Sequence, residues 1–178
     1  MVNTTTTKRD LWRPGAIDFS IVRGLSDVAA RWAPLPLRIV LGIVFVIAGA
    51  PKLNAGGHTQ FAGMLQNLGL PAPDFFAYLV GCVELFGGVA LLAGALVGLT
   101  AIILIIEMAC AAWLVHLPQG FATMHIVGMG PNGPIFGMPG YQHNVELIAA
   151  LAALFLMGAG KLSVDELWER RHYVRSAV

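Results

Sequence analysis

Apolar runs long enough to cross a bilayer constrain this chain more than any other feature. A hydrocarbon core of about 30 Å needs about 20 mostly apolar helical residues. Four segments meet or approach that length, at about 34–53, 75–94, 98–117 and 144–161. The first reads "PLPLRIVLGIVFVIAGAPKL", and its opening prolines suit the first turn of a helix. The second and third runs follow each other with almost no polar residue between them. One helix over 75–117 would be about 65 Å long, too long for a single pass, so a tight hairpin is expected near Gly94–Gly98. The expected fold class is therefore all-α, an integral membrane four-helix bundle.

The composition agrees. Charged residues make up 12% of the chain and hydrophobic residues 57%, whereas soluble domains carry about 25% charged residues. A net charge of +1 without a basic cluster argues against nucleic acid as a partner and leaves the lipid bilayer as the expected environment. The N-terminal stretch "MVNTTTTKRDLWRPGAIDF" is polar and has no apolar h-region, so a cleavable signal peptide is not expected. Residues 1–33 read as a cytoplasmic lead, in which 17–32 suit either a short interfacial amphipathic helix or a flexible lead. Residues 34–165 read as the membrane domain and 166–178 as a cytoplasmic tail.

Lysine and arginine positions give an orientation. Lys8, Arg9, Arg13, Arg23, Arg31 and Arg38 precede or open the first run, and Lys161, Arg170, Arg171 and Arg175 close or follow the fourth. Only Lys52 lies between. With four spans this asymmetry places both termini in the cytoplasm and loops 54–74 and 118–143 outside. The second of these loops is rich in Gly, Pro and Met and carries no Lys or Arg. Its length suggests a functional loop or a re-entrant cap.

Ionisable residues at membrane depth are the candidate site. Glu84 in "GCVELFGG" and Glu107 on the third run both lie about 14 Å from a helix end, close to the midplane. Two carboxylates on adjacent helices cannot both be ionised cheaply, so a proton or a cation compensates. Arg38 and Lys52 are fourteen residues apart, close to four turns, and so share one face of the first helix. Glu146 and His143 share a face at the start of the fourth helix, and His116 ends the third. Such residues usually face a bundle interior and mark a pathway or site. The alternative is a salt-bridge network that fixes helix packing. Gly81 and Gly88 lie on the Glu84 face, permitting either close helix approach or a flat ligand.

Cys82 and Cys110 are at similar depth on adjacent helices, where they suit either a redox pair or plain packing. His116, His125 and His143 with Met124, Met129 and Met138 contain copper(I)-type ligands, but their spacing matches no metal motif, and no metal site is expected.

Four elements in order resemble the DoxX family of small four-helix bacterial membrane proteins. They are "LRIVLGIVFVIAGAPKL" (37–53), "VELFGGVALLAG" (83–94), "LPQGF" (117–121) preceded by His116, and "HNVELIAALAALFLMGAGKLSVD" (143–165). These correspond to the family's arginine-led first helix ending in lysine and its E-x-x-G-G second helix. They also match its H-x-x-G-F exit from the third helix, here one residue longer, and its G-x-G-[KR]-x-S-x-D close. The resemblance spans about residues 35–165. The Gly/Pro/Met loop and the long N-terminal lead depart from the compact family pattern and suggest partner contacts.

The family is related to the membrane subunit of thiosulfate:quinone oxidoreductase. The resemblance therefore implies an oxidoreductase component of the bacterial inner membrane, quinone- or thiol-linked and acting with other membrane or redox subunits. In that reading Glu84, Glu107 and Glu146 relay protons, and Arg38, Lys52, His116 and His143 surround a bound quinone. The rival readings are a non-catalytic accessory subunit and a proton or small-solute transporter. Transport through so few helices would require a homo-oligomer.

Overall fold

The computed structural model describes residues 28–124 and 126–176. Most of 17–32 and all of His125 lie outside them. Residues 28–32 are helical and lead through a turn at Ala33 into the first long helix.

The elements are α1 (Pro34–Leu53), α2 (Ala55–Asn67), α3 (Pro73–Ala93), α4 (Val97–Ala111), β1 (Ile126–Gly130), β2 (Gly133–Phe136), α5 (Gln142–Met157) and α6 (Val164–Ser176). A π-helical turn, Ala112–His116, and a 3₁₀ turn, Leu117–Gln119, extend α4. Among the described residues three helical stretches are long and apolar enough to cross a membrane: Val28–Leu53, Pro73–Ala93 and Val97–Gln119. The fourth apolar helix, α5, has 16 residues, about 24 Å at 1.5 Å each, which is short for a span. The expected helix over 144–161 stops at Met157 because Gly158 and Gly160 take φ of +75° and +66°.

The all-α class holds, and two elements lie inside the segments expected as loops. The 54–74 segment contains α2, and the 118–143 segment contains an antiparallel β1–β2 hairpin pairing Ile126 with Phe136 and Gly130 with Gly133. The tail forms α6. Gly and Pro in these segments masked the local order, since neither segment carries a strong apolar period.

The bundle core comes from one stripe on each helix. Val97, Ala101, Leu104 and Met108 of α4 meet Leu147, Leu151 and Leu154 of α5, with Leu41 and Phe45 of α1 and Leu91 of α3 between them. The opposite faces present Ile47, Phe86, Ile106 and Leu156, each more than half exposed. Such outward apolar faces are what a bilayer solvates. A smaller cluster seats α2 on α3 through Ala62, Leu65 and Ala77.

Glycines set the α1–α3 distance. A Cβ on Gly88 would lie 2.7 Å from the Val46 nitrogen and 2.8 Å from the Gly42 carbonyl, and one on Gly49 would lie 2.8 Å from the Gly81 carbonyl. The glycines at 81 and 88 therefore serve close backbone approach, which small residues provide between helices in lipid.

The tail end of the bundle is closed by one polar knot. Arg38, 1% exposed, donates from Nη1 to the Ala159 carbonyl at 2.6 Å and from Nη2 to the Leu162 carbonyl at 2.9 Å. Both carbonyls belong to the turn that follows α5, between Gly158 and the start of α6. Asp165 accepts from the Leu96 and Val97 amides at 2.7 and 3.0 Å, capping α4. Ser163 accepts from the Glu166 amide and so caps α6. Gly94 turns α3 into α4 at φ +68°, and a Cβ there would run into Arg38 and Ser163. Glu166 is held below its usual carboxylate range by the Lys161 hydrogen bond first and by Arg170 as well. Those ties persist above that range and are lost as pH falls through the lowered pKa.

Gly88→Leu should cost about 1–3 kcal/mol, because the overpacked crossing cannot relax. The thermal midpoint of the detergent-solubilised protein checks it. Gly63→Ala is the control: it is mid-helix, nothing lies within 4 Å of its Cβ position, and it should gain about 0.5–1 kcal/mol.

Candidate functional site

Glu84 occupies a core position. The buried stripe of α3 is Ala77, Gly81, Glu84, Gly88 and Leu91, a 4-3-4-3 spacing that turns the carboxylate toward the other helices. Its side chain is 4% exposed. A charge there requires a partner, and Lys52 supplies it: Lys52 Nζ donates to Glu84 Oε2.

Lys52 reaches that depth because α1 stops early. The last turn of α1 lies beside Gly81, whose Cβ position is 3.1 Å from the Lys52 Cβ. Gly81 is eight residues into α3, about 12 Å below its start. Helix α2 then folds over the end of α1, and its Phe61 ring lies 5.0 Å from Lys52 Nζ. The cation is thus covered on one side by an aromatic face and held on the other by Glu84.

Glu107 comes from α4 to the same region. Its Oε2 is buried and has no hydrogen-bond partner among the described residues. Glu84, Glu107 and Lys52 line one cavity of about 430 Å³, within the range of about 300–1,000 Å³ typical of ligand pockets. Its walls are mostly apolar, with Phe45, Val80, Met108 and Leu147 among them. Phe61 and Met64 of α2 close one side. Thr123 and the 138–140 segment close the mouth.

His116 and His143 stand at that mouth. The π-helical turn over Ala112–His116 re-aims the end of α4, a distortion found frequently at functional sites. His116 Nδ1 donates to the Pro139 carbonyl at 2.8 Å and ties the covering segment to α4. Asn144, 5% exposed, also lines the cavity, and its Nδ2 has only the Met108 sulfur, at 3.8 Å.

The structure does not bring every expected residue here. Arg38 lies at the opposite end of α1, about 21 Å away by helical rise, and is occupied by carbonyls of the turn after α5. It neither neutralises Glu84 nor lines the cavity. Glu146 sits on the exposed rim, accepting from Gln142 Nε2 at 2.9 Å and lying 3.8 Å from His143. Cys82 and Cys110 are free cysteines and line no part of the cavity. Among the described residues no group of three or more His, Cys, Asp or Glu is placed to hold a metal ion.

Sequence reasoning missed Asn144, Phe61 and Met64, and also the clasp that seats α2. His58 is buried, stacks on Tyr78 at 3.7 Å and lies 3.3 Å from Asp74. The Asn144 signal was present in sequence, as a polar residue one turn into an apolar helix and three before Leu147 of the core stripe.

Lys52→Met and Glu84→Leu should each destabilise the protein by about 3–5 kcal/mol, since each strands a buried charge. The double variant should recover most of that loss. Denaturation midpoints of all three, compared as a double-mutant cycle, check it.

With this geometry in place, relatives can be compared. The DoxX family profile matches residues 33–117, which covers α1 through the π-helical turn carrying His116. The chain is 31% identical over 141 residues to the uncharacterized membrane protein Rv3486 of Mycobacterium tuberculosis. That alignment covers 76% of this chain and 80% of the relative. No solved structure matches. Profile and relative together establish that the chain belongs to the DoxX family.

Proposed function

We propose that this DoxX-family protein is the quinone-level component of a membrane oxidoreductase. One observation carries the reading: a ligand-sized cavity inside an apolar bundle is lined by Glu107, whose buried Oε2 has no hydrogen-bond partner among the described residues. Unpaired buried polar atoms are costly to keep. A ring that gives up a proton when oxidised provides the missing partner.

Quinol oxidation releases two electrons and two protons. Glu107 receives one proton, which has the geometry of general-base work in a water-poor site, and the other leaves through the cavity mouth to water. The Lys52–Glu84 pair beside it holds the local charge near balance as that proton arrives. His116 and His143 line the way to the mouth. The electrons pass to an oxidised redox centre on a partner subunit. A thiol-linked version reverses the flow: two thiols on the partner are oxidised to a disulfide, their two electrons reduce the quinone, and of the two protons the quinol gains Glu107 delivers one and water at the cavity mouth the other.

The lysine and arginine distribution supports a bacterial inner-membrane setting, with both termini in the cytoplasm and the cavity mouth on the outer side. A second reading, an accessory subunit, is favoured by the β1–β2 hairpin. Ile126, Val127, Met129, Ile135 and Phe136 are all more than half exposed, on a segment that carries no charge.

Glu107→Gln should lower quinol oxidation by membranes carrying the protein about 10²-fold or more, with expression unchanged. Full turnover in that variant, together with a stable co-purifying complex, would favour the accessory reading instead. For orientation, a fluorescent-protein fusion at the C-terminus should glow, and an alkaline phosphatase insertion after Asn132 should be active. The reverse pattern would invert the bundle.

A further inference from the structure

We infer that Asn144 is the carbonyl-recognising group of the cavity and, with Glu107, makes a two-point site for a ring bearing oxygen substituents. This rests on the quinone reading above and adds a residue and a selectivity to it.

A primary amide has two donors and two acceptor lone pairs. Burying it unpaired is expensive, so buried amides normally have full partners. Asn144 is 5% exposed. Its one hydrogen bond among the described residues goes to a thioether, a weak acceptor, at 3.8 Å. Yet it lines a cavity with ample room. Packing alone does not call for this residue. The stripe continues as Leu147, Leu151 and Leu154, and a leucine at 144 would extend it without an unmet polar group.

The two under-satisfied groups differ in kind. The Glu107 carboxylate, when ionised, only accepts, so it suits a ring hydroxyl. The Asn144 amide donates as well, so it suits a ring carbonyl, and it accepts, so it tolerates the hydroxyl of the reduced form. They come from neighbouring helices whose contact is marked by the Asn144–Met108 approach. A planar ring oxygenated at two positions meets both requirements at once. A purely aliphatic or aromatic hydrocarbon meets neither. Asn144 thus lets both redox forms bind, while Glu107 handles the proton.

The test uses full-length protein in lipid nanodiscs and titrates three probes: a short-chain benzoquinone, a short-chain naphthoquinone and an alkyl-p-xylene of matching size. Wild type should bind at least one quinone more tightly than the xylene. Asn144→Leu should weaken quinone binding about tenfold and leave xylene binding unchanged. Asn144→Ser, which keeps a hydroxyl donor and guards against a packing fault in the leucine variant, should recover part of the loss.

Equal quinone affinity in wild type and Asn144→Leu would overturn the role of Asn144 while leaving the cavity reading standing. Equal loss of quinone and xylene binding would make Asn144 a packing residue and overturn it too. No quinone binding by wild type would overturn both.

Discussion

The Lys52–Glu84 ion pair is the interaction on which the rest depends. In a medium with no water to hydrate charge, a carboxylate on the α3 core stripe is tolerated only where a cation meets it. That demand sets several features together. Helix α1 stops beside Gly81 so that Lys52 is deep enough. Glycines at 49, 81 and 88 let α1 and α3 approach closely enough for the side chains to meet. Helix α2 covers the open end of α1 and places Phe61 over the ammonium. The pair also leaves Glu107 without a cation of its own, since Lys52 is already engaged.

The two ends of the bundle divide the labour. At the tail end, Arg38 Nη1 and Nη2, Ser163 and Asp165 hydrogen-bond backbone groups of the turns and helix starts, so the motif "GAGKLSVD" serves chain closure and capping. At the hairpin end, polar groups outnumber their protein partners around a cavity. Structural polar groups in low-dielectric surroundings are paired. Arg38 Nε and His58 Nδ1 are buried without a partner as Glu107 Oε2 is, so an unpaired atom alone does not mark a site. Glu107 and Asn144 also line the cavity, which Arg38 and His58 do not, and that is why the proposed site is placed there.

The membrane-bundle class was legible because an apolar run of bilayer length has few other uses, and the charge-poor composition excluded a soluble core. Glu84 and Glu107 stood out for the same reason. The partner of Glu84 was harder to read. Arg38 and Lys52 share a helix face, so periodicity alone did not separate them. Only the depth at which α1 ends does that, and it depends on the glycine crossing. Helix α2 was hidden because "AGGHTQFAGMLQN" mixes Gly with polar residues and buries only three positions. The hairpin was hidden because its strands are short and glycine-rich, and because neither face is buried enough to impose alternation. Asn144 looked like a helix-start residue, and its isolation is visible only once Met108 is placed opposite it.

The central claim is that the cavity beside Lys52, Glu84 and Glu107 is where a quinone ring sits. Photolabelling with an azido-quinone in native membranes, followed by peptide mass spectrometry, measures this most directly. Labels should concentrate on cavity-lining positions such as Met64, Met108, Met138 and His143, and should be competed by unlabelled quinone. Labels spread over lipid-facing residues such as Trp113, Phe86 and Leu156, without competition, would contradict it.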